Sequence, residues 1–153
     1  MVHLNALIKE AQERIPMLQN NIDVETANVE KFRTDWEVEK QHALRCEADV
    51  QKHKDILDRV MIALNELLPN LNPNVCNVHQ VQQYLQLIRR RDSCNSIWTM
   101  AKEFLTKRTL NRDDLAKKME NAQQILDNLN LSIKSKEAEL ADAKEEMEAL
   151  LNN

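Results

Sequence analysis

The chain has 153 residues, not one of them glycine, with 30% charged side chains, 3% aromatics and a formal net charge of −4. Glycine supplies the left-handed backbone of tight turns and phosphate-cradling loops, so its absence excludes the P-loop and the dinucleotide fingerprint and argues against sheets, whose hairpins draw on Asn-Gly and Asp-Gly. A chain with 42% apolar residues set in register is not disordered, and with few aromatics to build a compact core the expected fold is all-α, an elongated coiled coil with a narrow apolar seam.

Residues 1–68 read as one long heptad helix. Ile8, Ile15, Ile22, Val29, Trp36, Ala43, Val50, Leu57 and Leu64 form a column seven residues apart. A companion column runs Leu4, Ala11, Leu18, Glu25, Phe32, Glu39, Cys46, His53, Val60 and Leu67. Alternating steps of three and four, held for about nine heptads, are what a left-handed coiled coil requires. Pro16 interrupts the pattern, since proline removes a helical hydrogen bond and crowds the preceding turn. A kink or break is expected there, with the apolar face kept on both sides. Residues 56–64, with Leu67 and Leu68, are apolar nearly all round, which predicts cover on every side.

Pro69, Asn70, Asn72, Pro73 and Asn74 make 69–77 a loop. Residues 78–108 read as a helical head of two short helices, 78–91 and 93–107, split where Asp92, Ser93 and Asn95 offer caps, the alternative being one straight helix with those residues on its polar side. The apolar stripe also changes phase between Ile88 and Ile97. The second heptad helix is expected over 111–151, with Asn111 as its cap and Asp113 and Asp114 facing the positive end of the helix dipole. Its columns are Leu115, Met119, Ala122, Leu126, Leu129, Ile133, Lys136, Leu140, Ala143, Met147 and Leu150. The two arms thus flank a region that has lost the heptad. A hairpin head returns the last arm antiparallel to the first, which would put Leu64 near Leu115 and Trp36 near Leu140 or Ala143. The uncapped finish at Asn153 reads as an excerpt from a longer protein.

Charge follows the same division: residues 1–76 carry −4, 77–111 carry +4 and 112–153 carry −4. No run approaches the roughly 20 apolar residues of a membrane span, and Met1-Val2-His3-Leu4-Asn5 lacks a charged-then-apolar leader. Three cysteines without a tidy framework predict a reducing compartment, cytoplasmic with the nucleus as the alternative.

Candidate sites are few. Cys76 and His79, with Cys94, offer soft ligands, but structural zinc needs four in paired motifs, so no metal is expected. Cys46 and His53 could be read as nucleophile and base, yet seven residues of helix separate them by about 10 Å, beyond activating reach. Glu25, Glu39, His53 and Lys136 interrupt the core columns, where polar residues set register and partner choice unless the seam simply frays. Lys136 facing Glu39 would give such specificity a physical basis. Arg89, Arg90 and Arg91 suit an acidic surface, or a helix C-terminus, where cations complement the dipole. No catalytic constellation and no cofactor site emerge, so the chain is not expected to be an enzyme.

The plan resembles segments of kinetochore subunits, vesicle-tethering subunits and motor adaptors, a likeness of architecture that carries no function by itself. The expected function is a coiled-coil scaffold or assembly subunit that pairs with other coiled-coil proteins or with itself. Its interface residues would be Ile22, Val29, Phe32, Trp36, Val50, Leu57 and Leu64 on the first arm, and Leu126, Leu129, Ile133 and Leu140 on the last. The alternative is a basic head, centred on Arg89, Arg90 and Arg91, that docks an acidic cytoskeletal filament such as a microtubule, or nucleic acid, the less expected of the two; three arginines are a small electrostatic footprint, which favours the helix-end reading of the run.

Overall fold

A computed structural model describes residues 2–71 and 77–153. They form two α-helices, α1 (Val2–Leu67) and α2 (Val78–Leu151), with a short 3₁₀ turn at Leu68–Asn70; there is no strand among the described residues. The protein is all-α.

The helix ends follow from local chemistry. Pro69 cannot continue the helical hydrogen-bond ladder. The Leu71 amide donates to the Leu68 carbonyl at 3.2 Å, closing the 3₁₀ turn, and Leu71 itself is extended. The Asn70 side-chain amide donates to the carbonyl of Glu66, one of the carbonyls left open at a helix end. At the start of α2 the Asn77 side-chain oxygen accepts from the amides of His79 (3.0 Å) and Gln80 (3.3 Å), an N-cap. The rest of the expected 69–77 loop, including Cys76, lies outside the described residues.

Along both helices the outer faces are held by pairs four residues apart, such as Lys54–Asp58 and Lys118–Asp114. The structure divides into two compact units, Met1–Trp36 with Asp114–Asn153, and Glu37–Asp113. In the first unit Leu4, Ala11, Leu18 and Val29 of α1 and Ala122, Ile133 and Ala143 of α2 are buried. Lys136 reaches Glu10 across this seam, and Arg14 and Leu18 face Leu131 and Ser135. Numbers rise along one helix as they fall along the other, so the segments run antiparallel. In the second unit Ala43, Leu57, Val60 and Leu64 are buried. Arg108 meets Glu39, Lys54 meets Trp98, and Ala63 and Leu67 share a groove with Gln83 and Leu87. That order is antiparallel too.

Every buried residue of α1 belongs to one of the two columns read from the sequence. All other members of those columns are at least partly withdrawn from solvent.

Several expectations are corrected. Helix α1 runs through Pro16 without interruption, so the break considered there does not occur. Pro16 is exposed. The head of two short helices over 78–108 does not form, nor does a helix begin at Asn111: α2 is continuous. Asp92 and Asp113, read as a cap and a first-turn acid, instead pair with their neighbours Arg91 and Arg112. With no glycine or proline between Val78 and Leu151, nothing stops the helix.

The middle has not lost the three-and-four spacing either. Residues withdrawn from solvent continue from Gln80 through Tyr84, Leu87, Arg91, Cys94 and Trp98 to Ala101, Leu105, Arg108 and Arg112. In consequence Leu64 belongs to the end of α1 that faces residues 83–90, not Leu115. Glu10, rather than Trp36, occupies the part of α1 facing Lys136. The all-round cover expected for 56–68 is also absent, since Met61, Ile62 and Leu68 stay exposed.

Candidate interaction surfaces

The seam residues named from the sequence are all at least partly withdrawn from solvent. Val29, Leu57, Leu64 and Ile133 are buried; Ile22, Phe32, Trp36, Val50, Leu126, Leu129 and Leu140 are half-buried. Fully withdrawing such a side chain from water is worth about 1.5–3 kcal/mol. These columns are therefore first of all where the chain meets itself.

Polar groups punctuate the seams. In the second unit the Arg108 guanidinium donates to Glu39 at 3.0 Å, and the Glu39 side chain is only 17% exposed. The His42 Nδ1 lies 3.9 Å from the same carboxylate oxygen. The Glu39 Oε2 and His42 Nδ1 are covered without a hydrogen-bond partner. In the first unit Lys136 donates to Glu139 at 3.2 Å and to Glu10 at 3.3 Å. These two hydrogen bonds, that to Glu139 foremost, hold its ammonium above the ordinary lysine value. The partner imagined for Lys136, Glu39, is taken by Arg108. Glu25 and His53 are half-buried in their columns.

The Trp98 ring has two ammonium groups over it, Lys102 at 3.6 Å and Lys54 at 4.9 Å from the centroid. An indole face attracts cations through its quadrupole. The Lys54 contact adds a cross-helix tie that hydropathy does not signal. Its only trace in the sequence is the four-residue spacing of Trp98 and Lys102.

The arginine run splits into two roles. Arg91 is half-buried and pairs with Asp92, whereas Arg89 and Arg90 are exposed and form no ion pair among the described residues. No helix ends there, so the dipole-capping role considered for them does not apply. Arg90 lines a groove of about 490 Å³ with Ala63, Glu66, Leu67, Gln83 and Leu87.

Cys46 and His53 line a second groove, of about 320 Å³, with Asp49, Ile97, Met100, Ala101 and Phe104. Among the described residues no group of three or more His, Cys, Asp or Glu could hold a metal ion, and Cys76 lies outside them. No described helix is long and apolar enough to cross a membrane.

Compared with known proteins, the chain matches no family model, no curated protein and no solved structure.

Proposed function

We propose that the chain is a coiled-coil assembly subunit, a scaffold in which paired antiparallel helices hold charged and apolar outer faces for partner proteins. The observation that carries this reading is the seam: the three-and-four spacing of withdrawn residues is the spacing of knobs-into-holes packing. Support also comes from the outer apolar residues, Ile97, Met100 and Phe104 among them, which exceed what two helices cover. The test is assembly in native extracts of the source cells, fractionated by size. The chain should run in a complex larger than itself, and Leu110→Asp or Leu131→Asp, at exposed apolar residues, should release it while leaving helical circular dichroism intact. Elution at the mass of a single chain would overturn the proposal.

A second reading, docking to an acidic filament, is favoured only by the exposed Arg89 and Arg90, which form no ion pair among the described residues. It requires binding that weakens steeply with salt. Cosedimentation with microtubules, compared between the wild type and Arg89→Gln/Arg90→Gln, separates it from the first reading.

A further inference from the structure

The arginine run has one neighbour that neither functional reading uses. Ser93 follows Arg89, Arg90 and Arg91 at four, three and two residues, and it is exposed. Its hydroxyl makes no hydrogen bond among the described residues, whereas those of Thr26, Thr34 and Thr106 each donate to the carbonyl four residues earlier. Positions three and four apart on a helix are neighbours, so Arg89 and Arg90 stand on the same side of α2 as the Ser93 hydroxyl. Both are exposed and form no ion pair among the described residues. Glu66 lines the same groove as Arg90 without pairing with it, and Arg91 is held by Asp92. No other serine or threonine of the chain has an arginine three residues before it.

The backbone around Ser93 is also where α2 resists opening least. Residues 92–99 all fall below alanine, leucine, arginine, methionine, lysine, glutamine and glutamate in helix propensity. Elsewhere in α2 such residues come at most two in a row. None of the eight is buried; Cys94 and Trp98 are only half-buried, and the first fully buried residue of α2 is Ala122. Weak intrinsic helix with little buried surface marks a segment that opens locally at low cost. An enzyme that takes its acceptor segment extended can therefore reach this serine.

We propose that Ser93 is a phosphorylation site for a serine kinase whose cleft carries carboxylates where the second and third residues before the acceptor bind. Arg91 and Arg90 fill those positions here, and charge patterns of this kind are how kinases select substrates. The Ser93 Oγ attacks the γ-phosphorus of ATP while its proton passes to the kinase's catalytic base. The Oγ–P bond forms, the bond to the ADP oxygen breaks, and nothing is oxidised or reduced. When the helix closes again, the phosphate brings a charge of about −1.5 to −2 and three acceptor oxygens. Arg89 and Arg90 stand beside it with guanidinium forks suited to that geometry. The +4 carried by residues 77–111 falls to about +2. The inference depends on neither the scaffold nor the filament reading.

The test incubates the full chain with ATP and the catalytic subunit of cyclic-AMP-dependent protein kinase, a probe enzyme that selects arginine at those two positions. Intact-mass spectrometry should show a single phosphate, mapped to Ser93, and Ser93→Ala should remove it. Arg90→Gln should slow the reaction by roughly tenfold or more. Asn95→Ala/Ser96→Ala strengthens the helix without touching the arginines. It should slow phosphorylation of the chain severalfold, while the same two changes in a synthetic peptide spanning residues 86–99 should leave the rate unchanged. That contrast separates helix opening from loss of recognition. A peptide that is phosphorylated while the full chain is not overturns the proposal. So does incorporation that survives Ser93→Ala or is indifferent to Arg90→Gln. Chain isolated from native extracts with phosphatases inhibited should carry the phosphate in part of the population; Ser93 found always as the free hydroxyl there also overturns it.

Discussion

Glu39 is a carboxylate in a position built for an apolar side chain, and Arg108 is what makes it tolerable. Removing one member of a covered ion pair leaves the other without compensation, which costs more than the pair contributes. Arg108 is itself 41% exposed, so water softens the loss. Arg108→Met should destabilise the second unit by about 1 kcal/mol, and Glu39→Gln placed on top should recover part of it. A double-mutant cycle read by thermal melting checks this; additive effects would show that the two groups do not interact. Lys136 gives a pH signature. Its value is raised in the folded chain, so its contribution is complete below the ordinary lysine value near 10.4 and is lost as pH rises through the raised one. The melting difference between the wild type and Lys136→Met should therefore be flat from about pH 7 to 9 and shrink above about pH 10.

At the scale of the helices, the unbroken course of α2 through Asp92 and Asn95 is the feature most open to attack. Had Ser93 capped a new helix, Cys94 would be its first residue, where proline is welcome. Inside a continuous helix the same Cys94→Pro change should cost about 3 kcal/mol and lower the helical signal of the second unit. The converse applies at Pro16: Pro16→Ala should raise stability, by up to about 3 kcal/mol, because it restores a hydrogen bond and removes a clash. The arms were legible because their apolar residues lie where the spacing puts the seam. The middle was not. There Gln80, Arg91, Arg108 and Arg112 turn inward, their long stems covered while their heads reach water or a partner. Val81, Leu85, Ile97 and Phe104 meanwhile stay outside. Hydropathy followed the outer residues and reported a change of phase; the unbroken step of three and four was the better guide. Of the interaction surface, the arginine run could be read as charge, but which cations are free depends on neighbours such as Asp92 that only the fold assigns.

For the molecule as a whole, the antiparallel order in each unit fixes what a crosslink should find. Leu67→Cys and Leu87→Cys line one groove, so a short thiol crosslinker should join them within one chain. The product should keep the mass of whatever species the uncrosslinked chain forms. Chain-to-chain products instead would mean that the helices pair between molecules. Cys46 and Cys94 are both half-buried; they and Cys76 should all be replaced by serine first, so that the introduced thiols are the only ones read.

The nesting of these contacts also sets an order in time. Glu39 and Arg108 are 69 residues apart along the chain, whereas Glu10 and Lys136 are 126 apart. Closing the longer loop from an unfolded chain costs about 0.5 kcal/mol more entropy, and once the contacts beside the turn exist the remaining search is short. Refolding should then run as a zipper that starts next to residues 68–77 and finishes at the termini. In stopped-flow refolding, Leu64→Ala should slow the folding arm of the chevron, while Leu18→Ala should act mainly by speeding unfolding. The opposite partition would place the nucleus among the terminal contacts.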